Sequence, residues 1–261
     1  MKTKKKNKFE LAEHYAHRGF HDKPEIPENS MAAFHRAIAN RLPTEIDVHL
    51  IADGSLVVFH DDDLERETGV KGSIEAYDLS NLRKLRLEGT DEVIPTFDEV
   101  LELYERSGLP LLIELKVVKG NHKELAAAVA KRLKRYKGEY VIQSFYPRAL
   151  IEIRKLMPDV AIGQLSKNYF NYNDGALMVR AAMTGNILFN RLVRPDFISY
   201  KFRDKHSNLL MRSVEKRGMS KLAWTIRTPD AYRRAVEAGC IPIFEGFNPA
   251  EIKEYGEKNE E

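Results

Sequence analysis

The chain has 261 residues, 43% hydrophobic and 31% charged, with 42 Lys and Arg against 39 Asp and Glu. That balance suits a folded protein with a sizeable core and excludes disorder of the whole chain. The formal net charge of +3, part of it in Lys2, Lys4, Lys5, Lys6 and Lys8, is too diffuse for the basic stripe that nucleic-acid binding requires.

The lysine run reads as a solvated tail spanning residues 1–13 rather than a membrane anchor. Cys240 is the single cysteine, so an internal disulfide and a Cys-based zinc site are excluded; its apolar neighbours mark it as a small core residue. No apolar run has the make-up of a signal peptide or the roughly 18 residues of a membrane span. The expectation is a cytoplasmic protein without stable membrane insertion.

Short β-rich runs alternate with amphipathic segments along the chain. Strands are expected at 14–17, 45–49, 111–116, 140–144, 160–165, 196–200, 222–226 and 241–245. Helical patterns include 30–40, 97–106, 123–136, 207–217 and 229–238, with Ser30 as an N-cap and Pro229 in a first helical turn. Eight strands alternating with helices predict parallel βαβ units. A closed (β/α)8 TIM barrel accounts for strand count and length together. An open doubly wound sheet is the alternative, but it would carry a glycine-rich phosphate loop after its first strand, where this chain has His17-Arg18-Gly19.

Residues 14–261 therefore read as one barrel domain. The stretch 50–96 is too long for a single βα loop and is expected to be an insertion between strands 2 and 3, with an extended pair around Asp53-Gly54 and a helix over 78–87. Residues 166–195 form a second irregularity: a loop at 171–175, then an apolar segment over 176–192 that serves either as a barrel helix or as a cover over the mouth.

Charge concentrates where a barrel places its chemistry, at the C-terminal ends of the strands. His17-Arg18 ends the first strand, Glu45 and Asp47 lie on the second, and Glu114 and Lys116 lie on the third. A spacing of two puts each pair on one strand face, and their apolar neighbours claim the opposite face. Three carboxylates crowded in a barrel interior repel one another and lose hydration. A hard divalent cation, Mg²⁺ or Ca²⁺, would relieve both. The bland alternative is a buried ion-pair network in which Arg18 and Lys116 neutralise the acids. His17 and His60 aim at the same mouth and suit a general acid and base, with His49 in reserve. Arg18 offers a planar fork and Lys116 a point charge for phosphate.

These residues fall within a longer series: His17-Arg18-Gly19, Pro27-Glu28-Asn29-Ser30 with Ala33-Phe34, Glu45-Ile46-Asp47-Val48, Asp53-Gly54, Val57-Val58-Phe59-His60-Asp61, Ile94-Pro95-Thr96-Phe97 and Ile113-Glu114-Leu115-Lys116. In this order and spacing the chain resembles the glycerophosphodiester phosphodiesterases. Weaker matches at Gln143-Ser144-Phe145 and Ala223-Trp224-Thr225 carry the likeness over about residues 14–250.

The resemblance implies a (β/α)8 barrel with a small insertion after the second strand, and metal-dependent cleavage of glycerophosphodiesters to an alcohol and glycerol 3-phosphate. By position it implies Glu45, Asp47 and Glu114 as metal ligands, His17 and His60 as the acid–base pair, and Arg18 and Lys116 as phosphate contacts. Glu28 and Asn29 would brace the mouth, and Trp224 could stack on substrate or fill core. One departure stands out: many members end the last strand with Thr-Asp, where this chain has Phe244-Glu245. The partner implied is a small phosphodiester; its own hydroxyl is expected to attack phosphorus and give a cyclic 1,2-phosphate, the rival being direct attack by a metal-bound water. The competing readings are a lysophospholipase-D-like activity on lipid phosphodiesters and a non-catalytic phosphodiester-binding protein.

Overall fold

The computed structural model describes residues 10–166, 193–202, 214 and 217–252. In chain order the elements are β1 (Tyr15–His17), α1 (Met31–Ala39), β2 (Thr44–Leu50), β3 (Leu56–Val58), the short α2 (Glu65–Thr68) and α3 (Leu79–Leu82), α4 (Phe97–Ser107), β4 (Leu111–Leu115), α5 (His122–Leu133), β5 (Tyr140–Ser144), α6 (Pro147–Leu156), β6 (Ile162–Ser166), β7 (Phe197–Lys201), β8 (Ser220–Ile226), α7 (Pro229–Glu237) and β9 (Cys240–Phe244). β1 pairs in parallel with both β2 and β9, which closes the sheet into a barrel of eight parallel strands. β3 is the extra strand, antiparallel to β2.

Side-chain alternation along the strands sorts the residues into layers. On β4, Leu111, Ile113 and Leu115 pack outward against the helices, in a cluster with Phe97, Val100 and Leu125. Leu112 points inward, to an apolar floor shared with Tyr15, Val141, Phe197, Leu222 and Ile243. Glu114 has the parity of Leu112 and so continues the inward face above that floor. β2 repeats the pattern, with Ile46 and Val48 in the outer cluster and Glu45 and Asp47 on the other face. Leu11 and Ala12 pack against the floor from below.

The helices begin where the sequence signals them. Ser30 Oγ accepts the Ala33 N–H at 3.1 Å, Thr96 and Glu99 form a capping box, and Thr228 precedes Pro229 at the start of α7. Each cap satisfies N–H groups that the first turn leaves open. The insertion folds on its own small core of Ile51, Val57, Phe59, Leu64, Ile74, Leu82, Leu87 and Ile94.

The extended pair around Asp53-Gly54 is the β2–β3 hairpin. The helix expected over 78–87 is shorter, Leu79–Leu82: beyond it the Leu87 N–H donates to the Glu92 carbonyl at 2.9 Å, so the chain folds back and tucks Leu87 into the insertion's core. The segments expected at 171–175 and 176–192, and most of the helix expected at 207–217, lie outside the described residues. No described helix is long and apolar enough to cross a membrane.

Candidate active site

Strand register assembles the acidic cluster. Asp47 is the cross-strand partner of Glu114, and Glu45 is the partner of His17. All three carboxylates are buried, and one oxygen from each lies within 4.8 Å of the others. The ion pairs of the bland alternative are also present: Lys116 Nζ lies 3.2 Å from Glu114 Oε1 and 3.5 Å from Asp47 Oδ1, and Arg18 Nε lies 3.4 Å from Asp47 Oδ2.

Two cations do not neutralise three carboxylates, and Arg18 is shared with Glu28 at 2.6 Å. The imbalance pushes the three carboxyls in different directions. Burial, then the charges of Asp47 and Glu114, push the Glu45 carboxyl well above the usual range. Burial likewise raises Glu114, with Lys116 opposing and Asp47 adding to the rise. Asp47 is also penalised by burial, but Lys116, His60 and Arg18 outweigh that and hold it low. Its Oδ1 is buried without a hydrogen-bond partner among the described residues. A divalent cation fits this set: all donors are hard oxygens, one is unsatisfied, and the surplus charge is negative.

Both histidines face the cavity that Glu45 and Glu114 line. His17 Nδ1 lies 2.6 Å from Glu245 Oε2, and His60 Nδ1 lies 2.5 Å from Asp61 Oδ1. Burial acts first against Glu245 and Asp61, yet hydrogen bonds from the rings and nearby arginines hold both carboxyls below the usual range. An ionised carboxylate only accepts, so each Nδ1 carries the hydrogen and each Nε2 is free for chemistry. Burial, followed by the Arg18 charge, lowers the His17 pKa to about 4.

Each carboxylate is fixed in turn by an arginine, Arg227 to Glu245 Oε1 and Arg66 to Asp61 Oδ2, both at 2.5 Å. Arg66 also reaches Glu28 at 2.7 Å, and Asn29 Nδ2 donates to Asp47 at 3.0 Å. Glu28 thus ties Arg18 to Arg66, and Asn29 holds Asp47. The bracing demands unusual backbone: Arg18 and Asn29 have φ of +54° and +52°, which costs non-glycine residues about 1–3 kcal/mol each. The Asn29 N–H donates to the Arg18 carbonyl at 2.8 Å and locks the two together.

Arg18, Lys116 and Trp224 line the same cavity. It measures about 1160 Å³, above the roughly 300–1,000 Å³ of ordinary ligand pockets. Trp224 meets Phe145 edge-to-face, with centroids 5.6 Å apart. His49 does not line the cavity: it is fully buried, with Nδ1 3.5 Å from Glu75 and Nε2 3.5 Å from the His60 carbonyl oxygen.

Sequence reasoning missed three relations. Asp61 alone of the three consecutive aspartates holds His60. Glu245, noted only as a departure from the family's Thr-Asp, holds His17. His21, which nothing in the sequence singled out, lies 3.7 Å from Glu245 Oε2. Strand ends adjacent in a barrel could have suggested the second relation; nothing in the linear spacing marks the third.

The family model for the glycerophosphoryl diester phosphodiesterase family matches residues 17–247. A glycerophosphodiester phosphodiesterase of Caldanaerobacter subterraneus is 29% identical, over 87% of this chain and 91% of its own length. Lysophospholipase D GDPD1 of Rattus norvegicus is 27% identical, over 98% of this chain and 89% of its own. An Oleispira antarctica phosphodiesterase, solved with the product sn-glycerol-3-phosphate, superposes with a TM-score of 0.77 at 26% identity, covering 94% of this chain and 96% of that one. The chain belongs to the glycerophosphoryl diester phosphodiesterase family and is a phosphodiester hydrolase.

Proposed function

We propose that the enzyme cleaves glycerophosphodiesters to an alcohol and glycerol 3-phosphate, with one Mg²⁺ or Ca²⁺ held by Glu45, Asp47 and Glu114. The observation that carries this reading is the buried three-carboxylate cluster on the wall of a cavity that His17 and His60 also line. When bound, the cation supplies Lewis acidity to the phosphoryl oxygens and to the neighbouring hydroxyl.

Arg18 and Lys116 hold the phosphodiester so that the glycerol 2-hydroxyl lies beside phosphorus, which makes attack intramolecular and lowers its entropic cost. His17, kept neutral by burial, takes the hydroxyl proton at Nε2 as the new P–O bond forms. His60, entering the step as an imidazolium with Nδ1–H still on Asp61, gives its Nε2 proton to the departing alcohol oxygen as the old P–O bond breaks. The product is a cyclic 1,2-phosphate. His60 then takes a proton from the water that attacks phosphorus, His17 returns its proton to the 2-oxygen, and the ring opens to glycerol 3-phosphate.

A second reading is favoured by the other half of the cavity, where Phe145, Leu165, Phe202, Trp224 and Ile243 make an apolar wall. That wall suits the acyl chain of a lysophospholipid, the substrate class named for the GDPD1 relative. Turnover of lysophospholipids beside water-soluble glycerophosphodiesters separates the two.

Dialysis against EDTA tests the metal. Activity should vanish and return with Mg²⁺ or Ca²⁺, and Glu114→Gln should bind neither ion while keeping its fold. Full turnover by protein shown to be metal-free would refute the reading.

A further inference from the structure

A second group of metal-binding side chains stands beside the first and has no part in holding its cation. We propose that His17, His21 and Glu245 form a separate site for a borderline transition ion of the zinc class, and that filling it switches hydrolysis off. The three residues come from the end of β1, the loop after it and the position following β9, and one donor atom from each lies within 4.8 Å of the other two.

Three features make this more than a hydrogen-bonded brace. Glu245 Oε1 is occupied by Arg227, which leaves Oε2 facing both rings, 2.6 Å from His17 Nδ1 and 3.7 Å from His21 Nε2. The second distance is too long for a hydrogen bond, and His21 Nε2 is buried with no hydrogen-bond partner among the described residues. A buried ring nitrogen without a partner calls for an explanation, and a metal ion is one. The donors are also of a different kind. Two imidazole nitrogens and one carboxylate oxygen suit zinc in tetrahedral geometry, with a fourth position left for water. The all-oxygen cluster of Glu45, Asp47 and Glu114 suits Mg²⁺ or Ca²⁺. Neighbouring sites of opposite hardness can fill independently.

The effect on catalysis follows from the proton count. Zinc takes the lone pair of His17 Nδ1, and the one proton of the neutral ring, which Nδ1 had donated to Glu245, is exchanged through solvent onto Nε2. A metal-bound imidazole with its hydrogen at Nε2 has no lone pair there, so it cannot accept the proton of the substrate hydroxyl. The inhibitory half of the proposal rests on the proposed role of His17; the binding half does not.

The test uses the full chain saturated with Mg²⁺ and titrated with Zn²⁺. Bound zinc is counted by equilibrium dialysis, and turnover is followed in the same samples, for the wild type, His21→Asn and His21→Gln. His21 takes no part in the proposed reaction, so both variants should retain most of the activity without zinc. The wild type should bind one more zinc than either variant and be inhibited at a zinc concentration at least about tenfold lower, since loss of even an outer partner of a metal site costs about 10–100-fold in affinity. Equal zinc binding and equal inhibition in all three proteins would overturn the proposal. Absence of turnover under every condition would count against the hydrolase reading alone, because dialysis still decides the site. Should both variants unfold, anomalous diffraction at the zinc edge from wild-type crystals decides instead. A peak about 2.0–2.2 Å from His17 Nδ1, His21 Nε2 and Glu245 Oε2 supports the site, and no peak there overturns it.

Discussion

Glu245 and His17 meet across the seam where the barrel closes, Oε2 to Nδ1 at 2.6 Å. The β1–β9 register pairs Tyr15 with Ile243 and Ala16 with Phe244, so the next step along both strands brings the histidine and the glutamate together. Closure of the sheet and orientation of the His17 ring therefore depend on one seam. Glu245→Ala should lower kcat at least about tenfold, and by no more than the 10²–10⁴ that general acid–base catalysis supplies. KM should stay near the wild-type value, because Glu245 acts through His17. A selective rise in KM with unchanged kcat would show that Glu245 binds substrate instead. Glu245→Gln, which keeps an acceptor but loses the charge, should fall between.

In the proposed mechanism the two histidines act on one coupled step. His17→Ala or His60→Ala should each lower kcat about 10²- to 10⁴-fold, and the double variant should be little worse than the poorer single. Multiplicative losses in the double variant would mean that the rings serve separate steps.

Much of this was legible in the sequence because strand alternation is a local property. Glu45 and Asp47, or Glu114 and Lys116, set two apart among apolar neighbours, declare a shared face and an inward direction before any fold is known. The eight strands were legible for the same reason, with ends shifted by one or two residues, as at Ile162–Ser166. What the linear spacing hides is contact between distant segments. The Glu245–His17 pair spans 228 residues and the Arg66–Glu28 pair spans 38, and neither follows from periodicity. The helix over 78–87 failed for a related reason: Leu87 is apolar because the insertion's own core takes it up, not because it lies on a helix face.

Stability should depend on pH through His17. An unfolded imidazole titrates near about 6.5, whereas burial and Arg18 lower the folded value to about 4. As pH falls below about 6.5 the unfolded state takes up the proton first, so this contribution to stability is lost from about 6.5 downward and is gone below the folded value of about 4. Its slope approaches about 1.4 kcal/mol per pH unit. Urea unfolding in EDTA should show the metal-free wild type losing stability more steeply over that window than His17→Asn. Parallel profiles would mean that His17 is not held neutral.

Gly19, next to Arg18, has φ of +84°, and a Cβ there would stand 2.8 Å from Ala33 Cβ and 3.1 Å from the Ala33 backbone carbon. Gly19→Ala should therefore cost about 2 kcal/mol or more, from left-handed backbone and overpacking together. Gly54 has the same φ but open space around it, so Gly54→Ala should cost only the backbone share of about 1–2 kcal/mol. Equal urea midpoints for the two variants would remove the packing argument for the turn that aims Arg18.

The proposed mechanism turns on the substrate providing its own nucleophile, and a phosphodiester of 2-deoxyglycerol tests that directly. It keeps the phosphate for Arg18 and Lys116 and the carboxylate-bound cation, and it lacks only the hydroxyl from which His17 would take a proton. Turnover followed by ³¹P NMR beside the parent glycerophosphodiester should show the analogue binding as a competitive inhibitor without being cleaved, while the parent passes through a cyclic 1,2-phosphate signal before glycerol 3-phosphate accumulates. Hydrolysis of the deoxy compound at a rate near the parent's would contradict the account and assign the attack to water.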